Sequence, residues 1–189
     1  MISISECHQK TDVQLVVLSL KKHDYYYCLM KRYEASLMNY IRKLAGVTQV
    51  DAEDILQEVF IDIYQNLNDY DQRFRFSSWI FRIAHNRTIS TIRKRRNDNQ
   101  AISWDEHDLD QLVQSGFSLE GNIIQRIDHQ HLLNLIKALP LKYREVLLLK
   151  FVEMKDYREI SDILKKPIGT IGTLINRAKR KLIHLVKNE

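Results

Sequence analysis

DAEDILQEVFIDIYQNLNDYDQRFRFSSWIFRIAHNRTISTIRKRR, residues Asp51 to Arg96, carries the most distinctive pattern in the chain. Its charges are segregated. Asp51, Glu53, Asp54, Glu58, Asp62, Asp69 and Asp71 come first, with no Lys or Arg among them. Arg73, Arg75, Arg82, Arg87, Arg93, Lys94, Arg95 and Arg96 follow, with no Asp or Glu. The same alternation recurs downstream, where Asp98 to Glu120 is acid-only and Lys165 to Lys187 is base-only. Blocks of one sign make fields, and fields select partners. The basic blocks predict two separate contacts with a polyanion. The acidic block predicts a different, protein partner.

The helical period is clear on both sides of this sign change. Asp51, an N-cap residue type, precedes a helix whose buried stripe is Ile55, Val59, Ile63 and Leu67. Asn68 to Arg75 is polar and turn-like. Ser77 or Ser78 caps the next expected helix, which runs to about Arg96 and buries Trp79, Ile80, Ile83 and Ala84. Upstream, Asp12 caps a short helix carrying Val13, Val16, Val17 and Leu20. A longer helix spans Tyr25 to Leu44 and closes at Gly46. Downstream, Asn97 to Asn122 is polar and acidic without sustained period, and reads as a linker. Helical pattern resumes over Ile127 to Leu139, and Pro140 opens a helix to about Phe151. Asp156 caps a short helix through Leu164, and Thr170 caps a last one to about Lys187.

Composition agrees with an all-α chain. The 189 residues suffice for one medium or two small domains, and five Gly and two Pro favour long helices. The two cysteines, Cys7 and Cys28, make neither a disulfide framework nor a zinc site, so they read as reduced and intracellular, with Cys7-His8 in a frayed terminus. The seven histidines show no zinc spacing, and no metal or cofactor is expected. No apolar run approaches the ~20 residues that span a bilayer. No signal peptide opens the chain. The expectation is a cytoplasmic protein without stable membrane insertion.

Asp156 to Lys181 has the layout of a helix-turn-helix. Its first helix buries Ile160, Ile163 and Leu164. Its second buries Ile171, Ile175, Ala178 and Leu182 and presents Thr173, Asn176, Arg177 and Arg180 on the other side. That face suits base edges in a major groove, while Lys165, Lys166, Lys179, Arg180 and Lys181 suit phosphates.

The motif AEDILQEVF followed by FSSWIFRIAHN resembles region 2 of bacterial RNA polymerase sigma factors of the extracytoplasmic-function group. LPLKYREVLLLKF, DYREISDIL and PIGTIGTLINRAKRKL resemble region 4 of the same group. The resemblance implies a promoter-specificity factor that binds core RNA polymerase and helps open DNA, and no enzyme. It implies a region 2 domain at 1–97, a flexible acidic linker at 98–126 that threads the polymerase cleft, and a region 4 domain at 127–189. Asp54, Gln57, Glu58 and Ile61 then face the clamp helices of the largest polymerase subunit. Tyr70, Arg73, Phe74, Arg75, Arg82, Asn86 and Arg93 capture the −10 element. Lys166, Thr170, Thr173, Asn176, Arg177, Lys179 and Arg180 meet the −35 element, and region 4 also docks on the flap of the second-largest subunit. An anti-sigma partner is implied by the same resemblance. Trp79 and Phe76 read as packing residues.

The chain departs from the family pattern at Lys165, where Gly is usual in the turn, and at Gly172 and Leu174, where basic residues are frequent. Two other readings were weighed. A two-metal nuclease needs carboxylates converging from several elements, and those here share one helix. A stand-alone helix-turn-helix repressor leaves the acidic helix and the Asp69–Arg96 segment without a task.

Overall fold

The computed structural model describes residues 4–97, 135–136 and 138–187. The expected linker at 98–126 lies outside them. Every regular element among the described residues is helical. The order is α1 (Ile4–His8), α2 (Asp12–Lys21), α3 (Asp24–Ala45), α4 (Gln49–Gln65), a 3-10 turn (Leu67–Asp69) and α5 (Phe76–Asn97). After these come α6 (Leu141–Leu147), running into a π-helical turn (Leu148–Val152), then α7 (Tyr157–Leu164) and α8 (Ile168–Lys187). Helices α3, α4 and α5 pack on one another around Leu37, Tyr40, Ile41, Val59, Ile80 and Phe81. Helices α6, α7 and α8 pack around Val146, Ile160, Ile163, Ile171, Ile175 and Leu182. The stripes expected on α4, α7 and α8 are the buried ones.

Helix starts lie a few residues upstream of the sequence expectations. Thr11, not Asp12, caps α2, in a capping box with Gln14. Thr48, not Asp51, caps α4, its hydroxyl oxygen accepting the Asp51 N–H at 3.3 Å. The Asp51 carboxylate is thereby left to accept from Arg95 Nη2 at 2.6 Å. Helix α5 begins at Phe76, ahead of both serines, and Ser78 is buried with no hydrogen-bond partner among the described residues. Thr170 lies inside α8, its N–H bonded to the Pro167 carbonyl at 2.9 Å. Asp156 caps α7 as expected, in a capping box with Glu159. Gly46 closes α3 in the left-handed region at φ 66.

The cysteine reading is corrected. Helix α1 folds back on α3, which brings the Cys7 and Cys28 Cα atoms to 5.2 Å, and the two form a disulfide. Cys7 is buried rather than frayed. Linear sequence carries no signal for this pairing, because it depends on a helix reversal at residues 8–12.

The turn between α7 and α8 keeps its left-handed residue without glycine. Lys165 adopts φ 54, ψ 44, and its N–H bonds to the Ser161 carbonyl. A side chain there costs about 1 kcal/mol. The Ser161 hydroxyl donates to the Lys166 carbonyl at 2.6 Å and holds the turn.

Gly172 lies within α8, and a Cβ there would meet only Tyr157 Cε1, at 3.7 Å. No close backbone approach inside the chain requires glycine at this position. Gly172→Ala is therefore expected to raise stability by up to about 1 kcal/mol, read as a higher urea midpoint at unchanged slope. A lower midpoint would contradict this packing of α8.

Candidate nucleic-acid interface

Three surfaces carry the chemistry. The first is the outer face of α4, where Asp54, Gln57, Glu58 and Ile61 are all exposed. Ile61 is 55% exposed, an apolar group set among acids. Its neighbour Asp62 is taken by Arg87, which donates through both Nε and Nη2, and Arg87 Nη1 lies 3.4 Å from Glu58. With the Asp51–Arg95 pair, part of the charge segregation is neutralised between α4 and α5.

The second surface is the loop before α5 and the ridge along it. Arg82, Asn86 and Arg93 fall on one side of α5, with Asn86 and Arg93 exposed and Arg82 half-buried. Phe74 is 40% exposed. Arg73 pairs with Asp71 at 2.6 Å inside the loop, and that partner holds the Asp71 carboxyl below its ordinary range. Tyr70 sits differently from the expectation. It is buried, edge-on to Phe76 at 5.1 Å, and its hydroxyl donates to the Phe74 carbonyl at 2.7 Å. Burial pushes its phenol up. Tyr70 thus shapes the loop and is only 8% exposed. Phe76 and Trp79 are buried and stacked at 5.6 Å, as packing residues.

The third surface is α8. Thr173, Asn176, Arg177 and Arg180 are exposed and Lys179 is half-buried, with Thr170 exposed just ahead of them. Leu174 is partly buried against the core. Lys179 Nζ lies 5.0 Å from the Phe151 ring centre.

A seam joins the two helical groups, and no sequence pattern announced it. Helix α5 packs on α7, and α3 packs on α6 and the π-helical turn. Arg75 Nη1 lies 3.1 Å from Glu159 and 3.7 Å from Asp156. Lys165 Nζ lies 5.4 Å from the Phe74 ring centre. Arg144 Nη1 donates to the Leu44 carbonyl at 3.1 Å. At the centre Glu145 is buried and accepts from Lys166 Nζ at 3.0 Å. His85 Nε2 lies 3.6 Å from the same carboxylate, and its Nδ1 lies 2.9 Å from the Tyr40 hydroxyl. Burial, and then the Lys166 charge, push His85 down to about 4, so the ring is neutral and Lys166 balances Glu145. Glu153, at the end of the π-helical turn, is pushed up by burial to about 7, against the pull of Lys155 and Lys43. Phe74 and Arg75, expected at DNA, therefore meet side chains of the other helical group, and Lys166, also expected at DNA, is held within its own group by Glu145.

The comparisons with known proteins match this layout. The Sigma-70 region 2 family matches residues 29–97, and the Sigma-70 region 4 family matches residues 129–182. The ECF RNA polymerase sigma factor SigW of Bacillus subtilis is 36% identical over 137 residues, which cover 70% of this chain and 73% of SigW. The chain belongs to the sigma-70 family, in its extracytoplasmic-function group. As a sigma factor it is a promoter-specificity initiation factor and not an enzyme. The ECF sigma-E factor of Escherichia coli K12 is 25% identical over 189 residues, covering 95% of this chain and 96% of that one. Among solved structures, CnrH in complex with the cytosolic domain of CnrY has a TM-score of 0.71 at 20% identity, covering 95% of this chain and 99% of that one. RpoE of Bartonella quintana in complex with the anti-sigma factor NepR has a TM-score of 0.63 at 20% identity, covering 84% and 94%. Among the described residues of the sigma factor, no helix is long and apolar enough to cross a membrane, and no His, Cys, Asp and Glu group could hold a metal.

The seam gives a pH prediction with a definite sign. Between about 4 and 6.5 the unfolded chain binds a proton at His85 that the folded chain refuses, so this group makes stability rise with pH. Between 4.5 and about 7 the folded chain holds a proton on Glu153 that the unfolded chain has released, so this group makes stability fall with pH. The two slopes oppose over their overlap. Glu153→Gln removes the second and mimics the protonated acid. Acidification of that variant from pH 6.5 to pH 4.5 is expected to lower its urea-unfolding free energy by about 2 kcal/mol relative to wild type. Parallel profiles for the two proteins would contradict the assignment.

Proposed function

We propose that this sigma factor binds core RNA polymerase through α4, captures the −10 element with the 68–75 loop and the α5 ridge, and reads the −35 element with α8. The observation that carries the reading is the α4 face, where exposed Ile61 is ringed by Asp54, Gln57 and Glu58. An apolar anchor inside a charged rim is the usual anatomy of a protein interface. Carboxylates make charge-assisted bonds to basic groups, which fits the clamp helices of the largest polymerase subunit. A stand-alone repressor has no use for this face.

The division of labour follows the helical groups. Residues 1–97 act as the region 2 domain and 127–189 as the region 4 domain, with 98–126 as the acidic tether between them. Arg73, Phe74, Arg75, Arg82, Asn86 and Arg93 supply cations and an aromatic face for single-stranded −10 DNA, and their grip assists melting. Thr173, Asn176, Arg177 and Arg180 face the −35 groove, with Lys166, Thr170 and Lys179 near phosphates, and region 4 docks on the flap of the second-largest subunit. The free chain binds promoter duplex weakly, because Arg75 is engaged across the seam and Lys166 is held by Glu145. The protein works in the cytoplasm and is held by an anti-sigma partner, as the complexes of CnrH and RpoE suggest.

Two variants test this. Asp54→Ala with Glu58→Ala is expected to weaken binding to cognate core polymerase by at least ~10-fold, since bonds to charged groups are worth about 1.5–3 kcal/mol each. Unchanged affinity would remove α4 from the interface. Arg177→Ala is expected to lower run-off transcription from a −35-dependent promoter by about 10-fold, matching the loss of one base contact, with core affinity retained. Loss of core affinity in Arg177→Ala would refute the division.

A further inference from the structure

The cavity beside the 68–75 loop has two walls, and only one belongs to the segment matched by the region 2 family. The cavity measures about 420 Å³. Tyr70 and Gln72 to Ser77 form one wall, inside the matched span of 29–97. Thr11, Asp12 and Val13 form the other, at the start of α2 and outside that span. Val13 and Phe74 bring exposed apolar groups to the cavity, at 37% and 40%.

The α2 wall is anchored to a degree that its own helix does not require. Arg32, from α3, donates to Asp12 Oδ1 at 2.6 Å, to the Cys7 carbonyl at 2.7 Å and to the Lys10 carbonyl at 2.8 Å. The Tyr33 hydroxyl donates to Asp12 Oδ2 at 2.5 Å. The Cys7–Cys28 disulfide pins the same segment one turn earlier. Terminal segments ordinarily fray. This one is fixed against α3 at the edge of the cavity, which lowers the ordering cost of any ligand contact made there.

We propose that Thr11 to Val13 form the second wall of a pocket for an unstacked base of the −10 single strand, with Val13 the contact opposite Phe74 and Arg32 its positioning residue. The inference rests on the reading of the 68–75 loop as the −10 site. The cavity lies within the size range of small-ligand sites. Its polar lining includes Thr11 and Gln72, which suit a base edge, and Arg73 and Arg75 suit the flanking phosphates. The pairs that Arg73 makes with Asp71 and Arg75 with Asp156 are exposed, and exposed pairs yield readily to a stronger partner; Arg75 also meets the buried Glu159 carboxylate. Stacking on one aromatic ring returns a free energy of the same order as unstacking the base consumes. The second wall then decides the net, and its shape decides which base is accepted.

The test is initiation by holoenzyme, reconstituted from full chain and cognate core, on promoters in which each −10 position carries each of the four bases. Val13→Trp adds bulk to an exposed position and should change base preference about 10-fold at one −10 position, with −35 preference and core affinity retained. Arg32→Gln should flatten preference at that same position. Phe74→Ala reports on the loop itself. If Phe74→Ala loses −10 preference while Val13→Trp and Arg32→Gln keep the wild-type pattern, the loop reading stands and the second wall is refuted. If all three keep it, the loop reading fails and the second wall with it. An even loss at every position in Val13→Trp also refutes the proposal.

Discussion

Glu145 is a buried carboxylate between two helical groups, and the relation of those groups depends on how its charge is met. An uncompensated carboxylate in such a place would be prohibitive, because water is replaced by a low-dielectric interior. Lys166 supplies the counter-charge at 3.0 Å, and His85 stays neutral beside it. Lys166 belongs to the turn between α7 and α8, and His85 to α5. One carboxylate on α6 therefore ties the helix-turn-helix to the helix that carries the basic ridge. The pairs of Arg75 with exposed Asp156 and buried Glu159 join α5 to α7.

This seam changes the meaning of the charge blocks. Read along the chain, they look like free fields. In the fold, Asp51 meets Arg95, Asp62 meets Arg87, and Glu159 meets Arg75. What remains for partners is a smaller set: Asp54 and Gln57 beside Ile61 on one face, with Glu58 shared with Arg87; Asn86 and Arg93 on another; and the outer side of α8. Segregation of sign thus does two jobs. It pairs α4 with α5 internally and leaves a residue of each sign facing outward.

The helices and their buried faces were legible because period is a local property. Ile55, Val59 and Ile63 on α4 with Leu67 in the 3-10 turn after it, and Ile171, Ile175, Ala178 and Leu182 on α8, are buried as their spacing required. Helix starts were less legible, because Thr11 and Thr48 compete with Asp12 and Asp51 as caps and only the backbone decides. Tyr70 was misplaced because an aromatic residue in a polar loop reads as exposed, whereas the 3-10 turn swings it under Phe76. The seam, the disulfide and the α2 wall of the cavity had no local signal. Each joins residues far apart in the chain, and none of them repeats with a period.

In the free sigma factor the seam, built partly from residues proposed for DNA, holds the two helical groups together. The direct measurement is the distance distribution between two spin labels, placed at the exposed positions Ser90 on α5 and Arg158 on α7 by chemistry that spares the cysteines. The account predicts one short, narrow distribution in the free chain, and a longer one when core polymerase and promoter DNA are bound. A long, broad distribution in the free chain, or the same short one in the complex, would contradict it.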